Sequence, residues 1–149
     1  ALNVRCARGK LASARVRAHR IELSAFPSVR MALETRRTRV LEEHDHQGEG
    51  DPYDGVLDLP DGHACMVVPL FAGDRTLGAI TFDRSECVVY EQPKVDIATI
   101  YGQIIALAMV ASEQAALLDR HRQRLTEENR ILRDEAEFQE LFPTHGEKG

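Results

Sequence analysis

A seven-residue repeat of apolar side chains runs through the last third of the chain. One set of repeat positions consists of Ile97, Ile104, Ala111, Leu118, Leu125 and Leu132. A second set, four positions after each of these, consists of Tyr101, Ala108, Ala115, Arg122, Asn129 and Ala136. A strict spacing of seven places both sets on one stripe of an α-helix, which is the seam of a left-handed coiled coil. The repeat therefore predicts one long helix that pairs with a second copy of the chain.

The residue types on this seam favour two parallel helices. With the first set at d and the second at a, leucines occupy d positions and Asn129 occupies an a position, an arrangement associated with parallel pairs. We therefore expect a parallel homodimer. About forty residues at about 1.5 Å each would span roughly 60 Å, which is longer than packing on one small domain requires. The alternative is an ordinary helix that packs on the domain and frays after Leu118.

Composition and charge limit the class of protein. A chain of 149 residues with 43% hydrophobic residues can bury one core. Its formal net charge of −5 argues against direct nucleic-acid contact. The lack of an uninterrupted apolar run of about eighteen residues argues against a membrane span. The cysteines form no C-x-x-C pair and no signal peptide is recognisable, so we expect a cytoplasmic protein.

Apolar alternation predicts strands and a short helix in the first third of the chain. Strands are expected over 1–7 and over Arg15–Leu23, because apolar and polar residues alternate there. Pro27 stands where a short helix is expected to begin, and an extended pattern resumes at 38–42. This order of elements, together with the segment that follows, predicts an antiparallel sheet with flanking helices.

A β-hairpin is expected at the centre of that sheet. Two apolar runs, Cys65–Phe71 and Thr76–Asp83, flank a Gly-Asp turn. Gly78 is expected to mark a close approach of the backbone to a neighbour. The side chains expected in the core are those of Val67, Val68, Leu70, Leu77, Ile80 and Phe82.

An acidic loop precedes the hairpin and contains candidate metal ligands. Asp51 and Asp54 lie in this loop, Cys65 begins the next strand and Asp83 ends the one after it. Carboxylates and a thiolate are donors that could converge on a divalent metal. Alternatively, Asp51, Asp54 and Gly55 shape a turn and Cys65 packs as a small apolar group.

Histidines offer further donors in the same region. His44 and His46 lie two residues apart in the acidic stretch and form an alternative metal site if the loop folds back. His63 lies next to the strand that contains Cys65, where it could bind a metal or donate a second-shell hydrogen bond. A solvated loop is the alternative for the first two.

The hairpin and the long helix together resemble a known signalling module. The stretch Val68–Asp83, followed by a long helix that ends in Leu125–Asp134, resembles a GAF domain that feeds a signalling helix. The Asp51–Gly55 and His63–Cys65 motifs narrow the resemblance to the GAF domains of NorR-like, nitric-oxide-responsive, sigma-54-dependent transcriptional activators. It extends over essentially the whole chain.

This resemblance implies an α+β fold, with a GAF-like central antiparallel sheet, flanking helices and a long C-terminal coiled-coil helix. It implies a GAF sensory core over 1–94, with the family's first helix and first strand missing. It implies a helix over 95–138 that packs on the core and continues as a coiled coil. Residues 139–149 would begin a linker.

The resemblance also implies a mononuclear non-haem iron that binds nitric oxide. Carried over by motif, the Fe²⁺ ligands fall on Asp51, Asp54, Cys65 and Asp83. The family's arginines align with Ser28 and Glu34 in this chain, a departure from the family's pattern. The arginines that could replace them are Arg30, Arg36 and Arg37.

The expected function is regulatory rather than enzymatic. The resemblance implies a sensory domain that controls a downstream AAA+ ATPase and a DNA-binding region. Because the arginines depart from the family's pattern, a GAF domain with an organic effector is an alternative, its pocket lined by Met66, Val68 and Ile80. A ligand-free dimerisation module is the third possibility. The residues suggest no catalytic triad or nucleophile elbow.

Overall fold

The computed structural model describes residues 1–41, 52–53, 55–57, 64–84 and 88–143. Antiparallel strands and helices both occur in these ranges, which confirms the α+β class. The strands are β1 Leu2–Asn3, β2 Arg20–Ile21, β3 Arg39–Leu41, β4 Ala64–Ala72 and β5 Arg75–Arg84. The helices are α1 Ala14–Arg17, α2 Pro27–Thr35 and α3 Gln92–Leu141.

The chain divides into two compact units, Ala1–Ala108 and Met109–Gly149. The first unit contains the strands, α1, α2 and the first part of α3. In the second unit, the described residues are those of the remainder of α3 and the two that follow it. The candidate functional site lies in the first unit.

The larger sheet has the strand order β3-β4-β5, with antiparallel pairing throughout. The hairpin β4–β5 is confirmed, and its register pairs Cys65 with Asp83 and Val68 with Ile80. Strand β4 lies between two neighbours and is buried from Ala64 to Leu70. Its apolar run of residues is typical of a strand that is covered on both faces.

Strand β4 contributes side chains to two separate cores, because successive residues of a strand point to opposite faces. The core on the α2 side consists of Val29, Ala32, Leu41, Cys65 and Val67. The core on the α3 side consists of Ala64, Met66, Val68, Tyr90 and Ala98. The sheet is therefore a layer between α2 and the beginning of α3.

The strand expected over Arg15–Leu23 is wrong over its first part. Residues Ala14–Arg17 form a helical turn, and only Arg20–Ile21 pair with β1. The Ser13 side chain accepts a hydrogen bond from the Val16 backbone N–H at 3.2 Å, which is an N-cap contact that favours a helix. A turn of this length is too short to show a helical period, so apolar alternation is misleading here.

The predicted core is confirmed in β4 and corrected in β5. Val67, Val68 and Leu70 are buried, whereas Phe82 is 39% exposed and Leu77 and Ile80 are half-buried. The β5 side chains are more exposed because, in the described part of the sheet, β5 pairs only with β4 and forms an edge. An edge strand is covered less completely than a central one.

The close approach expected at Gly78 occurs at Gly102 instead. A Cβ added at Gly78 would meet nothing within 4 Å, and this residue has a φ of +155°, which favours glycine. A Cβ added at Gly102 would lie 2.6 Å from Cγ1 of Val68. With Ala98 and Ala106, Gly102 forms the buried stripe of α3, so small residues let this helix pack closely on β4.

The long helix is confirmed and begins slightly earlier than expected. It extends from Gln92 to Leu141, two residues before Pro143. All of the named seam positions, from Ile97 to Ala136, are exposed in the single chain. Pairing with a second copy therefore stays a prediction.

Helix α3 also meets a simple criterion for a membrane span. Among the helices of the described ranges, it alone is long and apolar enough, with a most apolar 18-residue window of mean hydropathy 1.6. Length and composition alone are a weak indication, since core helices of soluble proteins meet the same criterion. The expectation that this chain has no membrane contact stays a prediction.

Replacing Gly102 by alanine tests the close packing of α3 on β4. The new Cβ would lie 2.6 Å from Cγ1 of Val68, and a β-branched side chain has little freedom to move aside. Overpacking typically costs about 1–3 kcal/mol, which outweighs the roughly 1 kcal/mol that alanine gains over glycine in a helix. We expect Gly102→Ala to lower the free energy of unfolding in urea by up to about 2 kcal/mol.

The control for this variant removes the obstructing atom. Val68→Ala deletes Cγ1, so the double variant should be less destabilised than the sum of the two single variants. A Gly102→Ala protein as stable as the parent would show that the helix has room for a methyl group here.

Candidate functional site

The β4–β5 register brings two predicted metal ligands together. Cys65 and Asp83 are direct cross-strand partners, and residues directly opposite each other have Cβ atoms about 4.5–5.5 Å apart on the same face. Cys65 is 4% exposed and Asp83 is half-buried. A thiol and a carboxylate are therefore adjacent on the α2 side of the sheet.

Tyr53, from the acidic loop, packs beside this pair. Its side chain is buried, and its hydroxyl is 2.9 Å from the hydroxyl oxygen of Thr81. Thr81 lies two residues before Asp83 on β5 and faces the same side of the sheet. At about 3.3 Å per residue, the two are roughly 7 Å apart along the strand. The described part of the loop therefore contacts the sheet next to the Cys65–Asp83 pair.

The N-terminal segment contacts the same part of the loop. The Nε2 atom of His19 donates to the Pro52 carbonyl at 2.6 Å, and the Arg15 guanidinium donates to the Gly55 carbonyl at 2.5 Å. The rings of His19 and Tyr53 lie 5.6 Å apart between centroids. Through Pro52, Tyr53 and Gly55, the described part of the loop thus contacts both the sheet and the segment that contains α1.

The remaining predicted donors lie outside the described residues. These are Asp51, Asp54, His44, His46 and His63. Within the described ranges, no group of three or more His, Cys, Asp or Glu side chains is placed to hold a metal ion. Cys65 and Asp83 supply two donors of a soft and a hard type, which fits part of an iron site. The complete ligand set stays a prediction.

The structure places Arg36 away from Cys65, and it leaves Arg30 and Arg37 exposed. Arg30 is exposed and pairs with Glu34 at 3.7 Å. Arg36 ends α2 in a left-handed conformation and lies over the ring of Phe71, 5.5 Å from its centroid. Phe71 is six residues from Cys65 along β4, which corresponds to roughly 20 Å. Arg37 is also exposed. The Cys65–Asp83 pair and Arg36 are therefore at opposite ends of the strand.

The residues expected to line an organic-ligand pocket lie on the other face of the sheet. Met66 and Val68 are buried in the core with Tyr90 and Ala98, and Ile80 packs against that core. This face is occupied by the beginning of α3. The two predicted sites are thus separated by the sheet, and the proposed pocket positions are filled by core packing in this structure.

Comparison with known proteins agrees with this geometry. The family model described as GAF domain matches residues 7–127, most of the chain. The chain belongs to the GAF domain family. The resemblance inferred from the hairpin and the long helix is thereby confirmed at the level of the family.

Relatives of this GAF domain are transcription regulators by name. One is the anaerobic nitric oxide reductase transcription regulator NorR of Salmonella arizonae, 34% identical over 98 residues, which are 64% of this chain and 18% of the relative. The proteins of the same name from Salmonella paratyphi B and Salmonella heidelberg are 32% identical with the same coverage. The chain thus spans about a fifth of the length of these relatives. No solved structure matches it.

Two site residues of the GAF domain were missed by sequence reasoning. Tyr53 stands between the two predicted aspartate ligands, and an aromatic residue in a Gly- and Asp-rich loop is a signal that it packs on something. His19 lies in a segment wrongly expected to be a strand. Its contact with Pro52 joins positions 33 residues apart, which no local pattern reveals.

Tyr90 packs on the α3 side of the hairpin in this GAF domain. Its hydroxyl donates to the Phe82 carbonyl at 2.9 Å, and the Arg84 guanidinium carbon lies 4.4 Å from its ring centroid. Burial raises the pKa of Tyr90 above its ordinary value, with the positive charge of Arg84 opposing and the charges of Asp83 and Cys65 adding to the rise. Burial is the largest of these effects.

The raised pKa of Tyr90 predicts a pH dependence. The folded protein keeps this phenol protonated at pH values where the unfolded chain has lost the proton. The resulting stability is fully present below pH 10.0, the ordinary value, and is lost as the pH rises through the folded pKa. In an absorbance titration at about 295 nm, we expect the difference between the parent and Tyr90→Phe to have its midpoint above pH 10.0. A midpoint at or below that value would contradict the assignment.

Proposed function

We propose that this GAF domain is the sensory domain of a bacterial transcriptional regulator and that it senses nitric oxide, or a related small molecule, through a mononuclear non-haem iron. The main support is the Cys65–Asp83 pair, a buried thiol directly opposite a carboxylate at one end of the hairpin. The names of the NorR relatives are the second support.

In this proposal, Cys65 and Asp83 hold Fe²⁺ from the sheet, and Asp51 and Asp54 complete the ligand set from the acidic loop. A borderline ion of this kind accepts both thiolate and carboxylate ligands. When bound, it supplies an open coordination position for a small neutral gas. The chain limits access of water, since Cys65 is packed among Val29, Ala32 and Leu41.

Strand β4 offers a direct route from this site to the long helix. Cys65 points to the α2 side, while its neighbours Ala64 and Met66 point to the α3 side and pack near Ala98. A shift of the strand at Cys65 would therefore change the packing of α3. A typical allosteric coupling of about 1–3 kcal/mol would suffice. We propose that α3 passes this change to a downstream AAA+ ATPase and DNA-binding region in the full protein.

We also propose that the domain functions as a parallel homodimer. The seam positions of α3 include large apolar side chains that are strongly exposed in the single chain, such as Leu118 at 70% and Leu132 at 61%. Exposed apolar side chains at a regular seven-residue spacing are those that a coiled coil buries. The partner that fits this stripe is a second copy of the same helix.

Iron binding is tested with matched pairs of variants. Anaerobic reconstitution with ferrous iron should give near-stoichiometric metal, and nitric oxide should then produce a new electron paramagnetic resonance signal. Cys65→Ser and Asp83→Asn should each reduce iron affinity roughly tenfold or more, because each removes a ligand. Their far-ultraviolet circular dichroism should stay unchanged.

The controls change the same residue types elsewhere. Cys6→Ser alters an exposed cysteine, and Asp74→Asn alters the exposed carboxylate that pairs with Arg36. Both should bind iron like the parent. A parent protein without iron and without a spectral change would remove the metal proposal. An organic effector would then be sought by its thermal stabilisation of the domain.

Dimerisation is tested by charging the seam. Leu118→Glu places a charge at a d position, and we expect it to raise the dissociation constant of the dimer roughly tenfold or more. Leu117→Glu alters the adjacent exposed leucine outside the seam and should leave the dimer intact. Sedimentation equilibrium measures both. Equal effects of the two variants, or a monomeric parent, would contradict the parallel coiled coil.

A further inference from the structure

Two side chains of the N-terminal segment, those of Arg15 and His19, donate hydrogen bonds to backbone carbonyls of the acidic loop. Arg15 contacts Gly55 across 40 positions, and His19 contacts Pro52 across 33 positions. Both acceptors lie in the acidic loop, of which the structure describes residues 52–53 and 55–57. The contacts are short, at 2.5 and 2.6 Å. Long-range contacts of this kind tie together segments that are far apart in the chain.

On the loop side of these contacts, the Pro52 carbonyl requires a hydrogen-bond donor. Pro52 is buried, and its carbonyl is its sole backbone hydrogen-bonding group, because proline has no N–H. When a buried carbonyl loses its hydrogen-bond donor, the folded protein is destabilised by the full desolvation cost of that carbonyl. His19 satisfies this carbonyl and also places its ring against that of Tyr53. The histidine therefore supports the loop by a hydrogen bond and by packing.

The N-terminal side of these contacts is anchored independently of the loop. The His19 carbonyl accepts from the Val4 N–H at 3.2 Å, and α1 is capped by Ser13. Leu2 and Leu23, which flank this region, pack against the core that contains Cys65. Arg15 and His19 therefore extend from a support that is joined to the same core as the candidate site.

We propose that Arg15 and His19 are positioning residues that hold the described residues of the acidic loop, 52–53 and 55–57, against the sheet and thereby set the geometry of the effector site. The inference rests on the proposed function, because Pro52 and Tyr53 are bonded directly to the proposed ligands Asp51 and Asp54. The hydroxyl of Tyr53 joins this part of the loop to β5 by its hydrogen bond with the Thr81 hydroxyl. The N-terminal segment thus acts on the site without touching iron or effector.

The first measurement needs no metal. The N–H groups of Val56 and Leu57 donate to the Tyr53 carbonyl at 2.9 Å, so their hydrogen exchange reports opening of this turn. His19→Leu removes the donor to Pro52, and we expect these amides to exchange about tenfold faster in the metal-free domain. His19→Gln keeps a side-chain N–H in a similar place and should stay within about twofold of the parent.

A second pair of variants isolates Arg15. Arg15→Met should accelerate exchange of the same amides, by less than His19→Leu because its contact is exposed. Arg17→Met changes the other exposed arginine of α1 and serves as the matched control. It should leave the exchange rates unchanged. Unaltered circular dichroism in all four proteins shows that the fold is kept.

The second measurement uses the iron-loaded domain. His19→Leu should release Fe²⁺ to a chelator about tenfold faster than the parent and should alter the electron paramagnetic resonance spectrum obtained with nitric oxide. His19→Gln should restore both properties, which a loss of packing alone would not explain. Unchanged amide exchange in His19→Leu, or equal behaviour of the leucine and glutamine variants, overturns the inference. A parent that takes up no iron, combined with the expected amide exchange, refutes the proposed function and supports the positioning of the loop.

Discussion

The pairing of β4 with β5 is the interaction on which the rest of the structure depends. Its register aligns Cys65 with Asp83 at one end of the hairpin and leads to the Gly-Asp turn at the other. A shift by one residue would exchange the two faces of β4 and move Cys65 to the α3 side. Both cores and the candidate site therefore depend on the same ladder of hydrogen bonds.

The two faces of the sheet differ in the side chains that they present. The α2 side receives the acidic loop and the N-terminal segment, and it contains the polar groups suited to binding. The α3 side is packed with small and apolar residues, which include Ala64 and Ala98. Because β4 contributes to both sides, the contacts of the acidic loop on one side and the packing of α3 on the other share a single strand.

Sequence reasoning succeeded where local chemistry determines the structure. The hairpin follows from two apolar runs and a Gly-Asp turn, and α2 begins at Pro27 as expected. It failed at residues 15–17, which form part of a helical turn capped by Ser13, whereas Arg20–Ile21 form a strand as expected. The proximity of Cys65 and Asp83 was predictable from a hairpin register. The contact of His19 with Pro52 was not, since it depends on how two distant segments pack.

The contact between Gly102 and Val68 restricts how α3 can move on the sheet. Ala98 and Ala106 stand one turn of helix before and after Gly102, and each carries a methyl group that glycine lacks. Sliding the helix by one turn, about 5.4 Å, would press one of these methyl groups on Val68. Piston-like translation is thereby hindered, while a tilt about the glycine leaves the contact intact. Close packing at position 102 thus favours angular over axial displacement of α3 on the sheet.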